Sequence, residues 1–188
     1  LKRCVMMFLY IYSMKKISLS LIFSILLLSM SAGDLIAQKN PEIFTIYLIR
    51  HSEKEIFSEN QIDPDLTECG IKRSEYLNSF FEDTDIENVY STNYLRTINT
   101  AIPLSLSKKT EIQHYDSNDL KLLSEILISS KQNSLVVGHS NTTPVLAGLL
   151  TDQFMQPFDE SVYDRIYKVV INQGKKKLFI IKTTFNCK

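Results

Sequence analysis

Apolar positions change their spacing along this chain. Ile43-Phe44-Thr45-Ile46-Tyr47-Leu48-Ile49-Arg50 is almost continuously apolar and rich in β-branched and aromatic residues, as expected of a strand buried on both faces. Helical spacing takes over near 66–82, where Leu66-Thr67-x-x-Gly70 opens an amphipathic stretch carrying Ile71, Tyr76, Leu77, Phe80 and Phe81, all read as core. A strand follows at Asn88 to Ser91. The next helix runs from about Tyr94 to Leu106, and Pro103, which lacks a backbone donor, is expected to distort it or end it early. After that the pattern predicts a strand near Glu111 to Tyr115, a helix near Asn118 to Ser129, a strand from Ser134 to Gly138 and a helix from about Asn141 to Leu150. Tyr163 to Ile171 and Leu178 to Phe185 are β-rich segments flanking Asn172-Gln173-Gly174, so they read as a hairpin. Strands alternating with helices imply right-handed crossovers. The predicted fold is α/β, a three-layer α/β/α sandwich with a mostly parallel sheet and a C-terminal edge hairpin.

The amino terminus stands apart from this pattern. Met14-Lys15-Lys16 is a short basic region, Ile17 to Met30 is an apolar run too short to span a bilayer comfortably, and Leu35-Ile36-Ala37 resembles a small-residue cleavage site. Residues 1–37 are therefore read as a signal peptide, with Leu1 to Ser13 as an extension preceding a start at Met14. Residues 38–188 form one domain. An exported, periplasmic or secreted location follows, with no stable membrane anchor after cleavage.

Charge and cysteines narrow the function classes. Removing residues through Ala37 takes Lys2, Arg3, Lys15, Lys16 and Asp34 from a chain of 21 basic and 21 acidic residues, leaving 17 against 20 and a net charge of −3. That balance argues against a nucleic-acid partner. Lys175-Lys176-Lys177 beside the Gly174 turn reads as solvated charge. Cys69 and Cys187 have no metal-ligand spacing, so no metal is expected; export permits a disulfide between them without requiring one.

The chemistry lies where the strands end. His51 follows the first strand and His139 follows Ser134-Leu135-Val136-Val137-Gly138. In open α/β sheets ligands bind at the carboxyl ends of the strands, so both imidazoles can meet in one crevice. Arg50 adjoins the first histidine, and Arg96 lies in the first turn of a helix leaving the same edge. Asn141 and Thr142 stand at a helix start, where backbone amides and the helix dipole favour an anion. Two planar guanidinium forks, a helix amino terminus and two imidazoles match a dianionic phosphoryl group. A neutral imidazole can attack phosphorus directly, whereas a serine hydroxyl would need a base. His114 lies within a strand with no such neighbours and is read as structural.

These residues resemble a known family. Leu48-Ile49-Arg50-His51-Ser52-Glu53 is similar to the Arg-His-Gly/Ala-Glu signature of the histidine phosphatase superfamily, also called phosphoglycerate mutase-like. Val89-Tyr90-Ser91-Thr92 through Leu95-Arg96-Thr97 to Thr100-Ala101 resembles its second motif, and Val136-Val137-Gly138-His139-Ser140-Asn141-Thr142 its third. The order and spacing over Ile46 to about Leu150 are those of a small branch 1 member. The resemblance implies that His51 is the phosphorylated nucleophile, that Arg50, Arg96 and His139 hold the transferred group, and that no cofactor or metal is needed. It also implies a carboxylic acid to protonate the leaving oxygen. Asp116, after a strand, is preferred, with Glu53 the alternative.

From Arg96 to His139 there is room for only one strand and two helices, without the insertion larger members use as a lid. A small phosphorylated substrate and broad phosphomonoester hydrolysis are expected. A catalytically weak phosphate- or phosphosugar-binding module and a mutase-type phosphotransferase are the alternatives on the same scaffold.

Overall fold

The computed structural model describes residues 43–187. The expected signal peptide, the Met14 start and the cleavage after Ala37 lie outside the described residues. Within them, six strands and four helices alternate in the predicted order: β1 (Ile43–Arg50), α1 (Glu68–Phe80), β2 (Asn88–Ser91), α2 (Leu95–Lys108), β3 (Ile112–His114), α3 (Leu120–Ser130), β4 (Ser134–Gly138), α4 (Thr143–Thr151), β5 (Arg165–Asn172) and β6 (Lys175–Lys182). None of these helices is long and apolar enough to cross a membrane.

The strands form one sheet in the order β3-β2-β4-β1-β5-β6. The first four are parallel, and the β5–β6 hairpin adds antiparallel to β1. Its two-residue turn has positive φ at both Gln173 (49°) and Gly174 (77°), the backbone twist that closes a tight hairpin. Lys176 at the foot of β6 is not purely solvated: its Nζ lies 2.7 Å from Asp152 Oδ2.

Both faces of the sheet are covered, as the near-continuous apolar strands require. Phe44, Ile46 and Leu48 join Leu127 of α3 and Leu150 of α4 in one core, while Tyr47 and Ile49 join Phe81, just past α1, and Leu104 of α2 in the other. Adjacent β1 and β4 thus feed helices on opposite faces. A crevice opens where neighbouring connections diverge in this way, at the carboxyl ends of the strands, and His51 and His139 are the residues that follow those two strands.

Two expectations are corrected. Pro103 does not end its helix, which continues to Lys108. The lost donor costs about 3 kcal/mol in a helix interior, but Ala101 and Leu104 on either side are fully or nearly fully buried and hold the segment against the sheet. On α1, Ile71 and Phe80 are exposed rather than core, and the buried face carries Gly70, Arg73, Ser74 and Leu77. The reason is electrostatic: Arg73 turns inward to meet Glu53, its Nε 2.9 Å and 3.0 Å from the two carboxylate oxygens and its Nη2 2.6 Å from Oε1.

The Leu66-Thr67-x-x-Gly70 motif sets the start of α1. Thr67 accepts a hydrogen bond from the Gly70 amide (3.0 Å) and donates its own amide to the Glu53 carbonyl (2.9 Å). A Cβ at Gly70 would lie 2.2 Å from that carbonyl oxygen, so only glycine lets the helix approach so closely. The segment just after His51 is thereby tied to α1. Cys69, in the first turn of α1, is disulfide-bonded to Cys187, 118 residues away.

Candidate active site

Backbone pairing brings the two histidines together. The amide of His51 donates to the carbonyl of Gly138, the last residue of β4 (2.9 Å), continuing the β1–β4 ladder one residue past β1. The His51 and His139 rings then lie 5.5 Å apart between centroids at an interplanar angle of 65°. His51 is 3% exposed. Its Nδ1 lies 2.7 Å from the Ser52 carbonyl oxygen, which can only accept; the ring proton therefore sits on Nδ1, leaving the Nε2 lone pair free to attack.

The second motif docks α2 on this pair. Thr100 Oγ1 accepts from the Ser52 amide (2.9 Å) and donates to the Arg96 carbonyl (2.7 Å). Thr92 Oγ1 lies 3.2 Å from His139 Nε2 and 2.8 Å from Thr97 Oγ1. Asp63, on the connection between β1 and α1, accepts from the Leu95 amide at 2.9 Å and lies 3.5 Å from Arg96 Nη1. The Tyr94 ring carries the Arg96 guanidinium at 4.4 Å and meets the His139 ring nearly at right angles, 5.4 Å away.

Arg50, His51, Arg96 and His139 all line one cavity of about 350 Å³. Arg50 donates through Nη1 to the carbonyls of Glu160 and Val162. The Nε donors of Arg50 and Arg96 are both buried without a protein partner. Leaving such donors unpaired costs about 1–3 kcal/mol each, so the site is built to be satisfied by acceptor oxygens.

Burial pushes the His51 imidazole down to about 2, helped by Arg50, His139 and Arg96, with the Ser52 hydrogen bond opposing. His139 is lowered to about 4 by burial, then by Arg96, Arg50 and Lys54. Both rings are therefore neutral at working pH. Because their folded values lie below the usual ~6.5, the unfolded chain binds more protons as the pH falls below that value, and the stability they contribute above it is lost in acid. In a proton NMR titration of the free protein, the ring signals of residues 51 and 139 are expected to keep their neutral positions down to about pH 5. Midpoints near 6.5 would contradict the burial argument.

Asn141 and Thr142 also line the cavity, but the amides of Thr142 and Thr143 are not free. The amides of Thr142 and Thr143 bond to the His139 carbonyl (3.2 and 3.0 Å), and the Thr142 hydroxyl accepts from the His139 amide (3.0 Å). This turn aims His139 and leaves the exposed Asn141 side chain at the cavity. Close packing supports it: a Cβ at Gly138 would lie 2.7 Å from the Tyr115 hydroxyl.

Neither carboxylate proposed as the acid lines the cavity. Asp116 is exposed and accepts from the Asn118 amide (2.9 Å) and side chain (3.0 Å), although its neighbours Ser117 and Asn118 do line it. Glu53 is held by Arg73. The lining carboxylate is Glu160, 3.8 Å from Lys54 Nζ, and Lys54 lines the cavity as well. Tyr94, also in the lining, sits inside the second motif, one residue before the Leu95-Arg96-Thr97 stretch. Lys54, three residues past His51, is brought by the first motif itself, whereas Glu160, and Tyr163 behind Arg50, come from a distant loop with no local signal. His114 is exposed on β3 and is not part of the lining. Among the described residues, Glu53, Cys69 and Cys187 are the one group with metal-ligand spacing, and its two sulfurs are spent in the disulfide.

Residues 46–118 match the family model of the histidine phosphatase superfamily (branch 1). No curated protein matches the sequence. Among solved structures, the fold is similar to that of the protein histidine phosphatase SixA complexed with tungstate, at 15% identity and a TM-score of 0.62, covering 74% of this chain and 97% of that one. It is also similar to phosphoserine phosphatase in complex with 3-phosphoglyceric acid from Entamoeba histolytica (14%, TM-score 0.58, 75% and 98% covered) and to phosphoglycerate mutase from Bacillus anthracis str. Sterne (15%, TM-score 0.55, 76% and 94% covered). At such identities the likeness is one of fold.

Proposed function

From the match of residues 46–118 to the branch 1 family model and the likeness of fold, we propose that the chain is a member of the histidine phosphatase superfamily and an exported phosphomonoester hydrolase acting through a phosphohistidine on His51. The observation that carries this reading is the convergence of His51, His139, Arg50 and Arg96 on one cavity with two buried guanidinium N–H groups unpaired.

Nε2 of His51 attacks phosphorus and the ester P–O bond breaks, its electron pair leaving with the substrate oxygen, which takes a proton. Water then attacks the phosphohistidine, breaking the P–N bond to release inorganic phosphate and restore the neutral ring. Arg50, Arg96 and His139 hold the equatorial oxygens through both steps, with Arg96 and His139 also stabilising charge where it develops. The cavity of about 350 Å³ suits a small phosphorylated substrate. Export is supported by the amino-terminal pattern and by the disulfide, a bond that persists in oxidising compartments.

Glu160 lines the cavity, which supports assigning it the protonation of the leaving oxygen. A panel of alkyl and aryl phosphates tests both the activity and this role. Glu160→Gln is expected to slow alkyl esters about tenfold or more while leaving aryl esters, whose leaving groups need less protonation, within about threefold. Asp116→Asn is expected to change neither. The opposite pattern would restore Asp116 as the acid, and a wild-type protein that hydrolyses no ester in the panel would refute the proposed activity.

A further inference from the structure

Residues 183–187, beyond β6, have no regular structure, yet they reach the back of the site. Thr183 donates its amide to the Asp164 carbonyl (2.8 Å), at the end of the loop 159–164 that leads into β5. Phe185 packs on the Arg73 guanidinium at 4.6 Å and on Tyr76 at 5.2 Å. Two residues later, Cys187 closes the disulfide to Cys69 on α1.

Contacts continue inward from there. Arg73 clamps Glu53, two residues beyond His51, and lies 5.8 Å from the Tyr163 ring. That ring carries the Arg50 guanidinium at 4.1 Å and stands 6.3 Å from the His51 ring. The same loop supplies both carbonyls that accept from Arg50, those of Glu160 and Val162. No residue of 159–164 is itself buried, so the loop has little core of its own to fix it.

We propose that the tail after β6, pinned by the Cys69–Cys187 disulfide, is a positioning strap: it holds loop 159–164 and Tyr163 in place, and through them the phosphate-binding geometry of Arg50. This rests on Arg50 holding phosphate, as argued above. Opening the strap takes two electrons from a dithiol: the S–S bond breaks, two cysteine thiols form, and the dithiol becomes a disulfide. Arg50 then loses a fixed stacking partner and fixed acceptors while the nucleophile is untouched. The strap therefore acts on ground-state and transition-state phosphate binding alike, which moves KM rather than kcat.

The test compares the oxidised protein, the same protein reduced with dithiothreitol, and Phe185→Leu with its disulfide intact. Calorimetry with inorganic phosphate gives affinity, steady-state kinetics give KM and kcat, and circular dichroism checks the fold. Reduction is expected to weaken phosphate binding and raise KM by about 5- to 10-fold, with kcat within about twofold, and reoxidation is expected to restore both. Phe185→Leu is expected to shift them the same way, with reduction adding little further because both changes act through one contact chain. Unchanged phosphate affinity in reduced, folded protein overturns the strap alone. An oxidised protein that binds no phosphate overturns the Arg50 assignment and the strap with it.

Discussion

Replacing His51 with alanine is expected to lower kcat by at least about 10⁴-fold, the largest effect of any single substitution in this protein. The expectation follows from geometry. His51 has its proton fixed on Nδ1 by the Ser52 carbonyl, lies 5.5 Å from the His139 ring, and shares the cavity with both arginines. His139 cannot substitute, because its Nε2 already lies 3.2 Å from Thr92 Oγ1 and its backbone is bound into the turn with Thr142. Phosphate binding should survive in the variant, since the guanidinium groups remain. Parallel loss of phosphate binding and turnover would instead indicate a collapsed site. Residual turnover within about tenfold of wild type would mean that another group attacks phosphorus.

Arg96→Ala is expected to produce the second largest effect, a loss of about 10²- to 10³-fold in kcat/KM, the cost typical of removing one preorganised donor to a developing oxyanion. Arg96→Lys should recover little of it, because an ammonium cannot reproduce the planar fork. The variant should remain folded: Asp63, 3.5 Å from Arg96, is partly exposed and keeps its hydrogen bond from the Leu95 amide. Kinetics at saturating and limiting substrate check the split. A full rescue by lysine would show that Arg96 contributes only a point charge.

Much of this site could be read from the sequence because its members are fixed locally. His51 and His139 each follow an apolar strand, and Arg50 and Arg96 sit beside a strand end and in a first helical turn. Sheet register and the divergence of α1 and α4 then bring them together. The mostly parallel sheet with a hairpin at its edge was also legible in the alternation of elements, whereas the strand order comes from the fold itself. What could not be read depends on partners distant in sequence. The inward face of α1 looked like a place for Ile71 and Phe80, but it belongs to Arg73 because Glu53, 20 residues earlier, supplies a partly buried carboxylate. Pro103 reads locally as a break, yet burial of its neighbours carries the helix past it. Asp116 has the right strand-end position, but Asn118 occupies its carboxylate, while Glu160 arrives from a polar loop with no periodicity to mark it. The expected export permits the disulfide without requiring it; only the fold brings Cys69 and Cys187 to a Cα separation of 5.7 Å.

The central claim is a covalent bond between phosphorus and one ring nitrogen of His51. Rapid alkaline quenching of the enzyme during turnover of an aryl phosphate, followed by peptide mass spectrometry, tests it directly, because a phosphoramidate survives base. One added phosphoryl group on the peptide containing His51, lost on acid treatment and missing in the alanine variant, is the predicted result. An active enzyme that carries no phosphoryl group under these conditions, or carries it on another residue, would contradict the account.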